Sequence, residues 1–140
     1  SPDSKADFVL LDAPCSSSGT IRRKPDILIN QNLLSLKKLQ TIQTNMLIKA
    51  LKLVKKDGLV IFSTCSIFKE EGEEIIEKIC NVKNLAEIDP INPSELGIFS
   101  ECIRSQGWAR VLPNSIFHNK KEYEEGNDGF FIVRLKSNIT

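Results

Sequence analysis

The sequence predicts one α/β domain whose ligands meet the carboxyl ends of parallel strands, and three observations carry that prediction. Short aliphatic, β-branched runs alternate with stretches of helical periodicity. The first two apolar runs each end abruptly in small polar residues, Asp12-Ala13-Pro14 and Thr64-Cys65-Ser66, as buried parallel strands do where they open onto a crevice. A chain of 140 residues with 41% hydrophobic side chains is sized for a single core.

Residues 7–11 form a continuous apolar run, which predicts a parallel strand buried on both faces. A Ser/Gly-rich loop follows. Over 33–54 the positions Leu36, Leu39, Ile42, Met46, Ala50 and Leu53 recur at intervals of three and four, the period of an amphipathic helix. Lys55-Lys56-Asp57-Gly58 reads as its close, with cations in the last turn and glycine just beyond. Residues 59–63 are a second buried strand. Residues 70–82 predict a second helix, with Ile75, Ile76 and Ile79 inward and Glu71, Glu74 and Lys78 outward. Pro90 and Pro93 stop regular structure. Residues 94–120 are mixed, apart from a strand over 108–112. Gly126-Asn127-Asp128-Gly129 is a turn leading into a last strand over 130–135. Two or three parallel strands are fewer than a self-sufficient doubly wound sheet carries. The opening Ser1-Pro2-Asp3-Ser4 lacks methionine and runs almost at once into a strand, which reads as part of a longer chain.

Charge gives no global argument for a polyanionic partner, since 19 basic and 18 acidic residues leave a net +1. The distribution is uneven, however. From Arg22 to Lys56 the cations Arg22, Arg23, Lys24, Lys37, Lys38, Lys49, Lys52, Lys55 and Lys56 face only Asp26, whereas 69–77 hold five glutamates and one lysine. Lys37 and Lys38 read as a solvated helix face. Arg22-Arg23-Lys24 lies in the loop after the first strand, where ligands bind. The four cysteines, Cys15, Cys65, Cys80 and Cys102, are 50, 15 and 22 positions apart, and His118 is the lone histidine, so no metal-ligand spacing exists. With an ordinary core composition and no signal peptide, the cysteines imply a reducing, cytoplasmic setting rather than a disulfide framework. No apolar run approaches the roughly 20 residues that span a bilayer.

Cys80 and Cys102 read as small buried hydrophobes. Cys15 and Cys65 differ, because each follows a strand end and is flanked by Ser, Thr or Pro. Strands joined by one crossover helix are usual neighbours, so both thiols face one crevice. Nucleophilic chemistry and a redox couple are the two options this leaves.

The motif DAPCSSSG at 12–19, then IRRKPD, then LQTIQTNMLIKALKLVKKDGLVIFSTCS ending at Ser66 with acidic residues after it, and RVLP and DGFF near the end, come in an order and spacing that resemble the Sun/RsmB-type (NOL/NOP/Sun) family of RNA cytosine-5 methyltransferases. The resemblance covers essentially the whole chain and implies the C-terminal half of a Rossmann-like, S-adenosylmethionine-dependent methyltransferase fold. It implies RNA as partner, ribosomal ahead of transfer RNA. It also implies that Cys65 adds to C6 of cytosine, that Cys15 assists product release, and that Asp12 contacts both the cofactor and the N3/N4 edge of the base. The chemistry needs such a set: C5 is a poor nucleophile until a thiolate at C6 makes it an enamine carbon, and a second group must later take the C5 proton. The base must leave its stack, so an RNA-holding surface is implied, with Arg22, Arg23 and Lys24 as phosphate contacts. Arg110 and 128–131 match family positions and read first as structural. Ser17 and Gly72 depart from the glycine and asparagine usual there. The glycine-rich cofactor turn and its acidic ribose partner are not in the sequence, and in the family they precede Asp12. A noncatalytic RNA-binding fragment or pseudoenzyme is the alternative, and a thiol redox or cysteine-hydrolase protein, with His118 as its one candidate base, is a third.

Overall fold

A computed structural model describes residues 4–30, 32–115 and 126–139. Strand β1 (Ala6–Asp12) and strand β2 (Val54–Thr64) run parallel, in register from Phe8 opposite Leu59 to Asp12 opposite Ser63, and helix α1 (Leu33–Leu53) makes the crossover. Short elements follow: α2 (Glu73–Glu77), β3 (Ala86–Ile88), α3 (Pro93–Leu96) and β4 (Ala109–Val111). The last strand, β5 (Phe130–Ser137), lies antiparallel along β2, with Thr64 opposite Phe131 and Leu59 opposite Lys136. The order is β1-β2-β5-β3, and β4 pairs with β5 beside its first residues. The sheet is therefore mixed, with one parallel pair among the described residues.

Leu47 and Leu51 of α1, Ile75, Ile76 and Ile79 of the α2 region, and Val60, Phe62, Phe131, Val133 and Leu135 of the two central strands make the core. The three isoleucines point inward as their spacing predicts. Phe62 and Trp108 both pack their rings against Phe131.

Four expectations need correction. First, β1 alternates instead of being buried on both faces: Val9 and Leu11 pack on the core, while Phe8 is 50% and Leu10 64% exposed. It is an edge strand, and no described element covers its outer face.

Second, the buried stripe of α1 is rotated from the hydropathy pattern. Leu36 and Ala50 are buried as expected, but Ile42 and Leu53 are exposed, and the inner positions include Gln43 and Thr44. Their polarity hides them from the pattern. The helix begins at a capping box in which Asn32 accepts from the Ser35 N–H at 2.7 Å and Ser35 Oγ accepts in return from the Asn32 N–H.

Third, Lys55-Lys56-Asp57-Gly58 does not close the helix. Val54 is fully buried in the core, which fixes the chain as strand from that residue on, and the tetrapeptide bulges out of β2 between the pairings of Ala6 with Val54 and Phe8 with Leu59. Asp57 takes the left-handed φ of 64° inside the bulge.

Fourth, 70–82 is not one helix. A 3₁₀ turn (Lys69–Glu71), the single α turn of α2 and a π-helical turn (Lys78–Val82) follow one another, and Glu71 is wholly buried rather than outward. Glu74 and Lys78 do face solvent.

Candidate active site

Asp12 and Ser63 pair across the parallel strands, so the chain leaves the sheet at the same level in both and the two cysteines emerge side by side. The Ala13 N–H donates to Ser63 O at 2.9 Å, and Ser63 Oγ donates to Asp12 Oδ1 at 3.2 Å. Cys15 Sγ and Cys65 Sγ then stand 3.3 Å apart, both half-buried. Residues 50 positions apart thus meet in one crevice, as the two motifs predict.

The loop carrying Cys15 closes over Cys65 in two steps. Ser17 takes the left-handed conformation, φ 58° and ψ 19°, and directs its N–H toward Cys15 Sγ at 3.4 Å, while its Oγ lies 3.7 Å from Cys65 Sγ. Gly19 N–H then donates to Cys65 O at 2.8 Å, and Gly129 N–H donates to Gly19 O at 2.6 Å. Three backbone segments meet here so closely that a Cβ on Gly19 would sit 2.1 Å from Gly129 O.

Burial pushes the Cys15 thiol up to about 12, with the Cys65 sulfur adding to the rise and the Ser17 N–H opposing it. Cys15 therefore remains a thiol at neutral pH, able to give its proton but a poor nucleophile.

Beneath the pair lies Glu71. Its Oε1 accepts from the Ser16 N–H and from Gln43 Nε2, both at 2.9 Å, and its Oε2 accepts from the hydroxyls of Ser16 and Ser66, both at 2.5 Å. Gln43 Nε2 also donates to Pro14 O at 2.8 Å. Glu71 and Gln43 escaped the sequence reading because charged and amide side chains are assigned outward by periodicity. The available signal was position: Glu71 falls in the turn directly after the second cysteine motif, before the isoleucine register begins.

Arg110 is buried and braces the same loop. It grips Glu73 through Nε at 2.9 Å and Nη2 at 2.5 Å, donates from Nη1 to Ser66 O, and lies 4.7 Å over the Phe131 ring. Its structural reading stands, as does that of fully buried Phe131. Gly72, where the family pattern has asparagine, leaves no room for a side chain: a Cβ would meet Arg110 Nη2 at 2.6 Å.

The basic cluster is exposed beside the Cys15 loop, but two of its members are engaged. Arg23 donates to Asp128 at 2.5 and 3.1 Å and holds that carboxyl below its ordinary value, and Arg22 approaches the same carboxylate at 3.9 Å. Lys24 is exposed. His118 lies outside the described residues. Among the described residues, no three His, Cys, Asp or Glu side chains gather as a metal-ligand set, and no helix is long and apolar enough to cross a membrane.

Comparison with known proteins identifies the family. The sequence profile of the family described as 16S rRNA methyltransferase RsmB/F matches residues 2–136. Ribosomal RNA small subunit methyltransferase B of Xylella fastidiosa is 30% identical over 134 residues, spanning 96% of this chain and 28% of its own length. The probable methyltransferase B of Bacillus subtilis is 32% identical, over 93% of this chain and 27% of its own length. The chain thus spans just over a quarter of the curated relatives it matches. Among solved structures, PH0851 superposes with a TM-score of 0.76 at 32% identity, over 94% of this chain and 27% of that one. A methyltransferase homolog from Pyrococcus horikoshii gives 0.67 at 26% identity, over 97% and 40%. On the sequence match and the shared sheet, this chain belongs to the RsmB/F family of 16S rRNA methyltransferases and has the Rossmann-like α/β fold of that class.

Proposed function

We propose that this chain carries the reactive thiols of an S-adenosylmethionine-dependent enzyme that methylates C5 of cytosine in RNA, with small-subunit ribosomal RNA in the cytoplasm as substrate. The observation that carries the reading is the pair of thiols, 3.3 Å apart at the ends of adjacent parallel strands. Residues 1–140 are read as part of the catalytic domain, with most cofactor contacts made by chain outside them.

The residues present fit one wall of a cofactor crevice. Asp12 is exposed at the carboxyl end of β1, the edge strand, where an open α/β sheet receives ligands. When bound, S-adenosylmethionine supplies an electrophilic methyl group. Cys65, its proton lost to solvent, adds to C6 of the base, and the displaced π pair makes C5 nucleophilic. Asp12 meets the N3/N4 edge of the base and holds the ring in place for addition at C6. Once C5 is methylated, Cys15 takes the C5 proton while its own thiol proton passes to Cys65 as the S–C6 bond breaks. Both sulfurs end protonated, and one proton has gone to solvent. Cys15 suits that part by position, its sulfur standing 3.3 Å from that of Cys65.

Replacing Cys65 by Ala in the full-length protein should abolish both methylation and the denaturant-stable adduct with a 16S ribosomal RNA transcript. Cys15→Ala should instead accumulate the adduct, in a form that needs Cys65. The reverse pattern would make Cys15 the nucleophile, and RNA binding without methylation or adduct would leave an RNA-binding role alone. A thiol–disulfide couple is the second reading, favoured by the same 3.3 Å contact. It is opposed by the raised value of Cys15, since exchange proceeds through the thiolate.

A further inference from the structure

Glu71 touches the residue that follows each cysteine. Its Oε2 accepts from the hydroxyls of Ser16 and Ser66, which stand directly after Cys15 and Cys65. Oε1 accepts from the Ser16 N–H and from Gln43 Nε2. Four donors fill the lone-pair positions of one carboxylate. Glu71, Ser66 and Gln43 are fully buried and Ser16 nearly so. Gln43 braces the assembly from α1, because its second amide hydrogen goes to Pro14 O, on the near side of Cys15. On the other loop, Arg110 holds the Ser66 carbonyl while Glu71 holds the Ser66 hydroxyl.

An apolar side chain at 71 would serve the core without the burden of burying a charge. What the carboxylate adds is a link between two loops. Backbone hydrogen bonds join these loops only at Ala13–Ser63 and Gly19–Cys65 among the described residues, so between those points side chains set the spacing. The Ser16–Glu71–Ser66 bridge starts inside that interval at Ser16 and ends just beyond it at Ser66, one residue past each sulfur, where Ser18 Oγ also meets Ser66 Oγ and the Ile67 N–H, both at 3.1 Å.

We infer that Glu71 is a positioning residue that fixes the separation of Cys15 and Cys65, clamping Ser16 and Ser66 to one carboxylate with Gln43 as its brace; its use in methyl transfer rests on the function proposed above, whereas the clamp itself does not. Glutamine at 71 preserves the clamp. Its carbonyl still accepts from the Ser16 N–H and Gln43, and its amide donates to the two serine oxygens, whose hydroxyls can rotate. Methionine at 71 removes it.

The test reads the thiol separation directly. In the full-length protein without RNA, diamide takes two electrons and two protons from the thiol pair and becomes the hydrazine, and peptide mass spectrometry follows the Cys15–Cys65 disulfide formed. Glu71→Met should slow that reaction by about tenfold or more, while Glu71→Gln stays within about threefold of the parent, because proximity sets an intramolecular rate. Buried Cys102 should stay unreactive in every variant that keeps its fold. Should Glu71→Met fail to fold, the double variant Ser16→Ala/Ser66→Ala, which removes only two hydroxyls, must show the same slowing. Parent rates in Glu71→Met, or in the double variant, overturn the inference. Slowing in a protein that forms no RNA adduct supports the clamp and removes the methyltransferase reading; adduct formation with unchanged diamide rates does the reverse.

Discussion

At the scale of single residues, burial of the Cys15 thiol makes stability depend on pH. Its value rises on folding from the ordinary 9.0 to about 12, so the folded chain binds the proton more tightly than the unfolded one. The stability this gives is fully present below pH 9 and is lost as pH climbs from 9 toward 12. Denaturation followed through Trp108 should show a decline in this window that Cys15→Ser reduces, and iodoacetamide should label Cys15 poorly at pH 8. An equal decline in Cys15→Ser would assign the loss to other groups. The cysteines were legible in the sequence, because a cysteine after an apolar run and between Ser, Thr or Pro is conspicuous, whereas Glu71 and Gln43 look like surface residues until their donors and acceptors are located. Ser17 gives a second test. A left-handed φ of 58° costs a residue with a Cβ about 1 kcal/mol, so Ser17→Gly should raise stability by about 0.5–1 kcal/mol in a thermal melt. A lower melting temperature would show that the Ser17 hydroxyl beside Cys65 matters more than the backbone conformation.

At the scale of elements, periodicity found α1 and β5 with their first residues and found β2 too short at its start, because burial of one residue outweighs local signals. Val54 in the core turns an apparent helix cap into a strand bulge, and Glu71 is buried in a 3₁₀ turn ahead of the single α turn and the π turn. Nor could the sequence show that the Cys15 loop and the turn before β5 come into backbone contact. A Cβ at Gly19 would lie 2.1 Å from Gly129 O and 2.7 Å from Cys65 O, both backbone atoms that no rotamer change can move. Gly19→Ala should therefore cost about 2 kcal/mol or more in denaturant unfolding and displace the Cys15 loop from Cys65. Unchanged stability would mean that the three segments separate at little cost.

At the scale of the whole molecule, the near-zero net charge makes any RNA attraction local. Arg22, Arg23 and Lys24 stand beside Asp128, which leaves two net positive charges in the cluster. Replacing all three cations by Ala in the full-length protein should lower the slope of log affinity against log salt for a 16S transcript by about 1.4 to 1.8, two contacts' worth rather than three. An unchanged slope would leave the cluster as solvated surface. The cofactor side gives a further expectation: the wall formed by Asp12 is one part of a crevice, so calorimetry on residues 1–140 should find S-adenosylmethionine binding weak or absent. Micromolar affinity would place the cofactor contacts within these residues.

The open margin of β1 has a practical corollary for anyone handling the isolated polypeptide. A strand with unmatched amides along one side and Phe8 and Leu10 in water offers itself as a template for another strand, and β1 carries no bulge or proline at Phe8–Leu11 to discourage the partner. Concentrated solutions of residues 1–140 should scatter light and turn cloudy with time, and Leu10→Lys should keep them clear. Colloidal behaviour would then report, without RNA, cofactor or assay, which edge of the sheet is open.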